Sequence, residues 1–325
     1  MDTAARRAGD VVAGWAITVL AWALCVPGVL LFIGAFVLSA RNLAWWLDAP
    51  DLSWPVAVGI KAVVGGTGAV VFEVGRHLMT TGRRYRTGAV GSLEGLAGTR
   101  YVLYLRSFTT DQWLANPPET PGDPLGALMS GRGLTREQYL VEYLSRFGRV
   151  VAIGRPGERT PQLGAERGYV TGPDWQGTVS ALLRDAHVVV LSATPSPGTV
   201  WEYVEALRTV SPRRLVLLLH PEASTYFAFR AAAVREHAAR ADDGPLPDLP
   251  STSPVPDPPF PADRTGWDFP AAGVITFDDD WRPRATGFLP IPKREHRTIW
   301  HRDRLVEREL DRALEAVHRL PDVPR

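Results

Sequence analysis

The chain of 325 residues is poor in cysteine: Cys25 is the only one, so neither a disulfide framework nor a cysteine-based zinc site can form. A reducing setting suits it. It has no charge bias either, with 36 basic against 35 acidic side chains and a net charge of +1. No run of basic residues interleaved with aromatics stands in residues 101–325, which argues against nucleic acid as a partner. The seven histidines include no i, i+4 pair with an acidic companion, and no metal is expected. A glycine-rich turn, Gly154-Arg155-Pro156-Gly157, is followed by no phosphate-gripping lysine, so it is at most a weak phosphate-loop signal.

What the chain does have is two long apolar stretches near its start. Val11 to Ser39 contains no charged side chain and exceeds the roughly 20 residues that a bilayer's hydrocarbon core asks of a helix. A cleaved signal peptide would carry a shorter apolar run, about 7 to 15 residues. The second stretch begins at Trp54 and runs to about residue 75. Lys61 and Glu73 interrupt it, but both lie toward the ends, where long side chains reach the interface. Gly65, Gly66 and Gly68 leave room for a partner backbone, as in a packed hairpin. An interfacial helix is the competing reading of this second stretch.

Basic residues near span ends tend to stay in the cytoplasm. Arg6 and Arg7 precede the first stretch, and Arg76, Arg83, Arg84 and Arg86 follow the second; residues 40–53 between them hold one arginine, Asp48, Asp51 and two tryptophans. The expectation is a two-pass protein of the cell membrane, with residues 1–10 and the basic juxtamembrane segment 76–100 both cytoplasmic and the lipid bilayer as a partner. Two unbroken spans lack the repeated, interrupted helices of a carrier.

From Tyr101 the pattern becomes short apolar strands alternating with amphipathic helices. Strands are expected at Tyr101 to Phe108, Arg149 to Gly154, His187 to Ser192, Arg214 to His220 and Gly273 to Phe277. Helices are expected from Thr135, whose hydroxyl with Gln138 suits a capping box, and at Trp175 to Asp185, capped by Asp174. Further helices are expected at Val200 to Val210, Tyr226 to Arg240 and Glu295 to Leu320. Residues 109–134 and 242–266 are rich in proline and read as loops. Residues 101–241, completed by 267–325, are therefore predicted to be an α/β domain with a doubly wound, mostly parallel sheet.

In such a sheet ligands bind beyond the carboxyl ends of the strands. That directs attention to Arg106, Ser107 and Phe108 after the first strand, to Arg155 after the second, and to Trp201, Glu202 and Glu205 after the third. Each has an unremarkable alternative: Trp201 as a core anchor, the glutamates as a solvated first turn, the arginines as surface or ion-pair residues. The helix N-terminus is expected to keep both glutamates ionised.

Tyr104-Leu105-Arg106-Ser107-Phe108, the helix followed by RVVAIGRPGE, and LLRDAHVVVLSATPSPGTVWEYVEAL together resemble the Toll/interleukin receptor (TIR) domain family over roughly Tyr101 to Leu219. The Trp-x-x-x-Glu pattern of Trp201 and Glu205 is similar to that family's best-known helix. The insertion after the first strand, the segment 164–174 and the extension beyond Ser224 depart from it. The resemblance implies a flavodoxin-like fold and, as in the family's enzymes, cleavage of nicotinamide from NAD, with NAD a substrate rather than a cofactor. It assigns the carboxylate role to Glu205, with Glu202 its rival. A non-catalytic module that binds a nucleotide or assembles as a homo-oligomer is the alternative, and a nucleoside deoxyribosyltransferase-like domain a third.

Overall fold

The computed structural model describes residues 2–39, 42–43, 47–48, 53–86, 96, 98–110, 114–115, 135–154, 164–169, 174–240, 244–254, 269–288 and 299–321. The chain divides into two compact units, Met1–Thr87 and Gly88–Arg325.

The first unit is a pair of antiparallel helices, α1 (Asp2–Val37) and α2 (Trp54–Arg86). Both contain a stretch long and apolar enough to cross a membrane, Val12–Val37 and Trp54–Met79. Their burial is the reverse of a water-soluble pair. Small residues face inward, with Ala21, Ala35 and Ala57 buried, while Val19, Phe36 and Trp54 are 66%, 71% and 72% exposed. Without water to drive association, helices in lipid gain by backbone approach and dispersion contact, which small residues permit. Gly68, Gly75 and Gly82, seven apart on α2, sit where a Cβ would come within 3 Å of backbone or side-chain atoms of α1 at Gly28, Cys25 and Thr18. Pro27 lies inside α1 without ending it. The basic stretch after the second span starts as helix, since α2 continues to Arg86; residues 87–95 lie outside the described residues.

The second unit is built on one seven-stranded sheet. Its strands are β1 (Tyr101–Leu105), β2 (Arg149–Ile153), β3 (Glu166–Gly168), β4 (Val188–Ser192), β5 (Leu215–Leu219), β6 (Gly273–Phe277) and β7 (Pro283–Gly287), in the spatial order β3-β2-β1-β4-β5-β6-β7. The first five are mutually parallel. The sheet then turns antiparallel, β5 to β6 and β6 to β7. The α/β class and the mostly parallel sheet thus stand, with an antiparallel pair of strands on one edge.

Alternation along the strands sorts the core into two faces. Tyr101, Leu103 and Leu105 of β1 pack with Val189 and Leu191 of β4 beneath α4 (Trp175–Asp185), α5 (Pro197–Thr209) and α6 (Ala223–Ala239). Val102 and Tyr104 face the other way, with Val188 and Val190, under α3 (Arg136–Leu144), α7 (Ile299–Ala313) and the short α8 (Glu315–His318). Leu310, Leu314 and Val317 are buried on that second face, which accounts for the apolar side of the C-terminal helix. The capping box at Thr135 forms as its sequence suggests, Thr135 Oγ1 accepting from Gln138 N at 3.2 Å and Gln138 Oε1 from Thr135 N at 2.9 Å.

Candidate functional site

From β1 the chain runs to β2 and β3 on one side, then returns to place β4 and β5 on the other. Connections leaving β1 and β4 therefore diverge, and the crevice they open lies beyond the strand ends, where open parallel sheets hold their ligands. A cleft of about 510 Å³ occupies this place. Its floor is Tyr104 to Thr109, the end of β1 and the turn that follows, with Ile153 and Gly154 at the end of β2. Trp175 and Val179 of α4 form one wall; Ser196, Gly198, Thr199 and Glu202 at the start of α5 form another. A cavity of this size with few polar groups among apolar and aromatic ones is typical of small-molecule sites.

The start of α5 is organised by its own sequence. Ser196 caps the helix, accepting from Thr199 N at 3.4 Å while its hydroxyl lies 2.6 Å from Thr199 Oγ1, and Pro197 occupies the first helical position, where no N–H is needed. Glu202, one and a half turns in, looks into the cleft. Burial lifts its carboxyl from the usual 4.5 to about 8. The helix-start field was expected to hold it ionised; withdrawal from water outweighs that field here, because the dipole acts mainly within the first turn.

Glu205 is directed elsewhere. It accepts from Ser180 Oγ at 2.7 Å and from Arg240 Nη1 at 3.3 Å, tying α4, α5 and α6 together behind the cleft wall, and it is not among the described residues that line the cleft. Trp201 joins the same cluster. Arg240 lies over its ring at 5.0 Å and donates to its carbonyl at 3.2 Å, and Trp175 meets it edge-on at 4.8 Å. Trp201 thus supports the cleft through Trp175 rather than lining it.

Arg106, Ser107 and Phe108 all line the cleft. Arg106 is buried, and its Nη2 donates to both carboxylate oxygens of Glu137 at 3.2 and 3.3 Å. Glu137 also accepts from Arg167 Nη2 at 3.2 Å, and both partners are fully buried. Gly164, at a φ of +141°, allows the chain to pass this carboxylate, since a Cβ there would stand 2.6 Å from Glu137 Cγ. Phe108 remains 40% exposed at the cleft. Arg155 lies outside the described residues.

Neither Glu137 nor Arg167 was a sequence candidate. Glu137 stands in the first turn of a helix, where acids are ordinary, and Arg167 stands in a three-residue strand, Glu-Arg-Gly, that carries no apolar pattern. Among the described residues no cluster of three or more His, Cys, Asp or Glu side chains suits a metal ion.

Compared with protein-family models, curated proteins and solved structures, the chain matches none.

Proposed function

We propose that this chain is a membrane-anchored, TIR-like hydrolase of the N-glycosidic bond in NAD or a related nucleotide, its head held at the cytoplasmic face, with Glu202 as the working carboxylate. One observation carries the reading: Glu202 is the only acid lining the switch-point cleft among the described residues, and it shares that cleft with Arg106 and the hydroxyls of Ser107, Ser196 and Thr199. As the bond to nicotinamide breaks, positive charge moves onto the ribose, and an ionised carboxylate beside the sugar stabilises it. Nicotinamide leaves as a neutral base, so no acid is required. Glu205, spent on Ser180 and Arg240, keeps a structural part.

The membrane part of the proposal rests on the two long apolar helices with their inward small residues. Arginines flanking both outer ends favour cytoplasmic termini.

The test is NAD consumption by the full chain in lipid nanodiscs. Wild type and Glu205→Gln consume NAD and Glu202→Gln does not; equal turnover in wild type and Glu202→Gln removes Glu202 from the chemistry, and no turnover in the wild type removes the hydrolase. A second reading, a nucleotide-binding or self-assembling signalling module without chemistry, has its own support in the raised carboxyl of Glu202, which burial keeps mainly protonated at neutral pH. Saturable NAD binding with no turnover in the wild type favours it.

A further inference from the structure

The cleft has two unlike walls. Among the described residues, α4 gives it Trp175 and Val179, one turn apart on the same face, and no polar side chain. The start of α5 gives it Ser196, Thr199 and Glu202 and no large apolar one. Among the described residues of the second unit, three large aromatic side chains stand exposed, Phe108, Trp175 and Phe227, and the first two line this cleft, 40% and 39% exposed. Rings left open to water forgo the gain of burial, which a bound ligand can supply. Trp175 is also braced. Trp201 meets it edge-on at 4.8 Å, and Trp201 is in turn gripped by Arg240, which pairs with Glu205 and Glu236. A ring fixed before binding loses little rotamer freedom when a ligand stacks on it.

We propose that the leaving base, nicotinamide in the case of NAD, lies against Trp175 on the α4 wall, while its ribose lies along the hydroxyls and Glu202 of the α5 wall. A base offers a flat unsaturated face and a sugar offers a rim of hydroxyls, so each asks for one of these two surfaces, and the bond that breaks joins them. Trp175 is the contact residue and selects for a planar ring. The inference rests on the hydrolase reading for the identity of the base and deepens it.

Nicotinamide alone is the probe, titrated calorimetrically into the full chain in phosphatidylcholine nanodiscs. Wild type binds it saturably, at one site. Trp175→Phe keeps a ring and holds the affinity within about threefold, whereas Trp175→Leu keeps an apolar side chain without a ring and weakens it about tenfold. Nicotinamide also quenches the indole fluorescence of the wild type and leaves that of Trp175→Phe, which still binds it, unquenched. In NAD turnover, Trp175→Leu raises KM about tenfold with kcat little changed, because stacking is alike in substrate and transition state. A kcat that falls with KM unmoved marks a structural role and overturns the contact. So does an absence of saturable binding in the wild type, equal affinity in wild type and Trp175→Leu, or equal quenching in wild type and Trp175→Phe. The two proposals separate. Nicotinamide binding that Trp175→Leu weakens, without NAD turnover in the wild type, removes the hydrolase and leaves the base-binding wall; NAD turnover with nicotinamide affinity equal in wild type and Trp175→Leu removes the wall and leaves the hydrolase.

Discussion

Glu202 and Glu205 lie three residues apart on one helix, and their surroundings give them different tasks. Glu202 is withdrawn from water with no cation paired to it among the described residues, so its carboxyl rises to about 8; Glu205 accepts hydrogen bonds from Ser180 and Arg240. If the ionised form of Glu202 does the work, kcat/KM for NAD rises about tenfold per pH unit below that value and levels off above it. The cationic nicotinamide ring favours the carboxylate, so the same rise in kcat falls at lower pH. A flat profile between pH 6 and 9 would count against this role. Stability carries the opposite sign. A carboxyl whose pKa is higher folded than unfolded favours the fold fully below the unfolded value near 4.5, and this advantage is lost as pH climbs to about 8. Glu202→Gln does not titrate, so its melting temperature gains on the wild type steadily from pH 5 to 8 and no further beyond. Glu205→Gln keeps its activity but loses the charge that Arg240 pairs with, destabilising the head by about 1–3 kcal/mol in denaturant unfolding.

Among the elements, the helix pair shows most plainly how small residues set geometry. Gly75→Leu drives a side chain into Ala21 and Cys25 of α1 and lowers the thermal stability of the pair in detergent, by about 2 kcal/mol or more. Gly66→Leu, on the same helix, meets nothing within 4 Å and is tolerated. Equal melting of the two variants in a helical circular-dichroism scan would contradict this packing. Element boundaries were largely legible where a local physical signal existed. Asp174 and Thr135 cap the helices they were expected to cap, and the apolar runs VVVL and LVLLL are strands. β3 and β7 escaped notice for a shared reason. Glu-Arg-Gly and Pro-Arg-Ala-Thr-Gly are outer strands of the sheet without apolar alternation, formed because a neighbour offers backbone partners rather than because their side chains ask for it. The expected strand at Tyr101 to Phe108 stops at Leu105, and Phe108 opens a single 3-10 turn, which brings Arg106 and Ser107 out of the ladder and into the cleft.

For the whole molecule, the division at Thr87 and Gly88 predicts separable behaviour. A fragment of residues 88–325 contains the complete sheet with both of its helix layers and is expected in the aqueous fraction of cells, melting cooperatively. The full chain sediments with membranes and leaves them only in detergent. Full chain recovered from the aqueous fraction would contradict the anchoring proposal. On the anchoring proposal, two spans confine copies to a plane and raise their effective concentration, so any self-assembly of the head is expected to be stronger in the full chain on vesicles than in the fragment at equal bulk concentration.

The amino-acid order alone determined the two-part plan, the apolar pair and the alternation of strand and helix, because hydrophobic periodicity and capping are local and need no knowledge of neighbours. It also placed Arg106, Ser107 and Phe108 beyond a strand end, where the cleft lies, since the carboxyl end of a parallel strand is defined by direction along the chain. Only the tertiary structure decided which glutamate enters the cleft and which locks three helices together. It alone revealed that Glu137, 31 residues from Arg106 and 30 from Arg167, binds both. Burial and ion pairing are properties of surroundings assembled from distant segments, and no local pattern in the sequence encodes them.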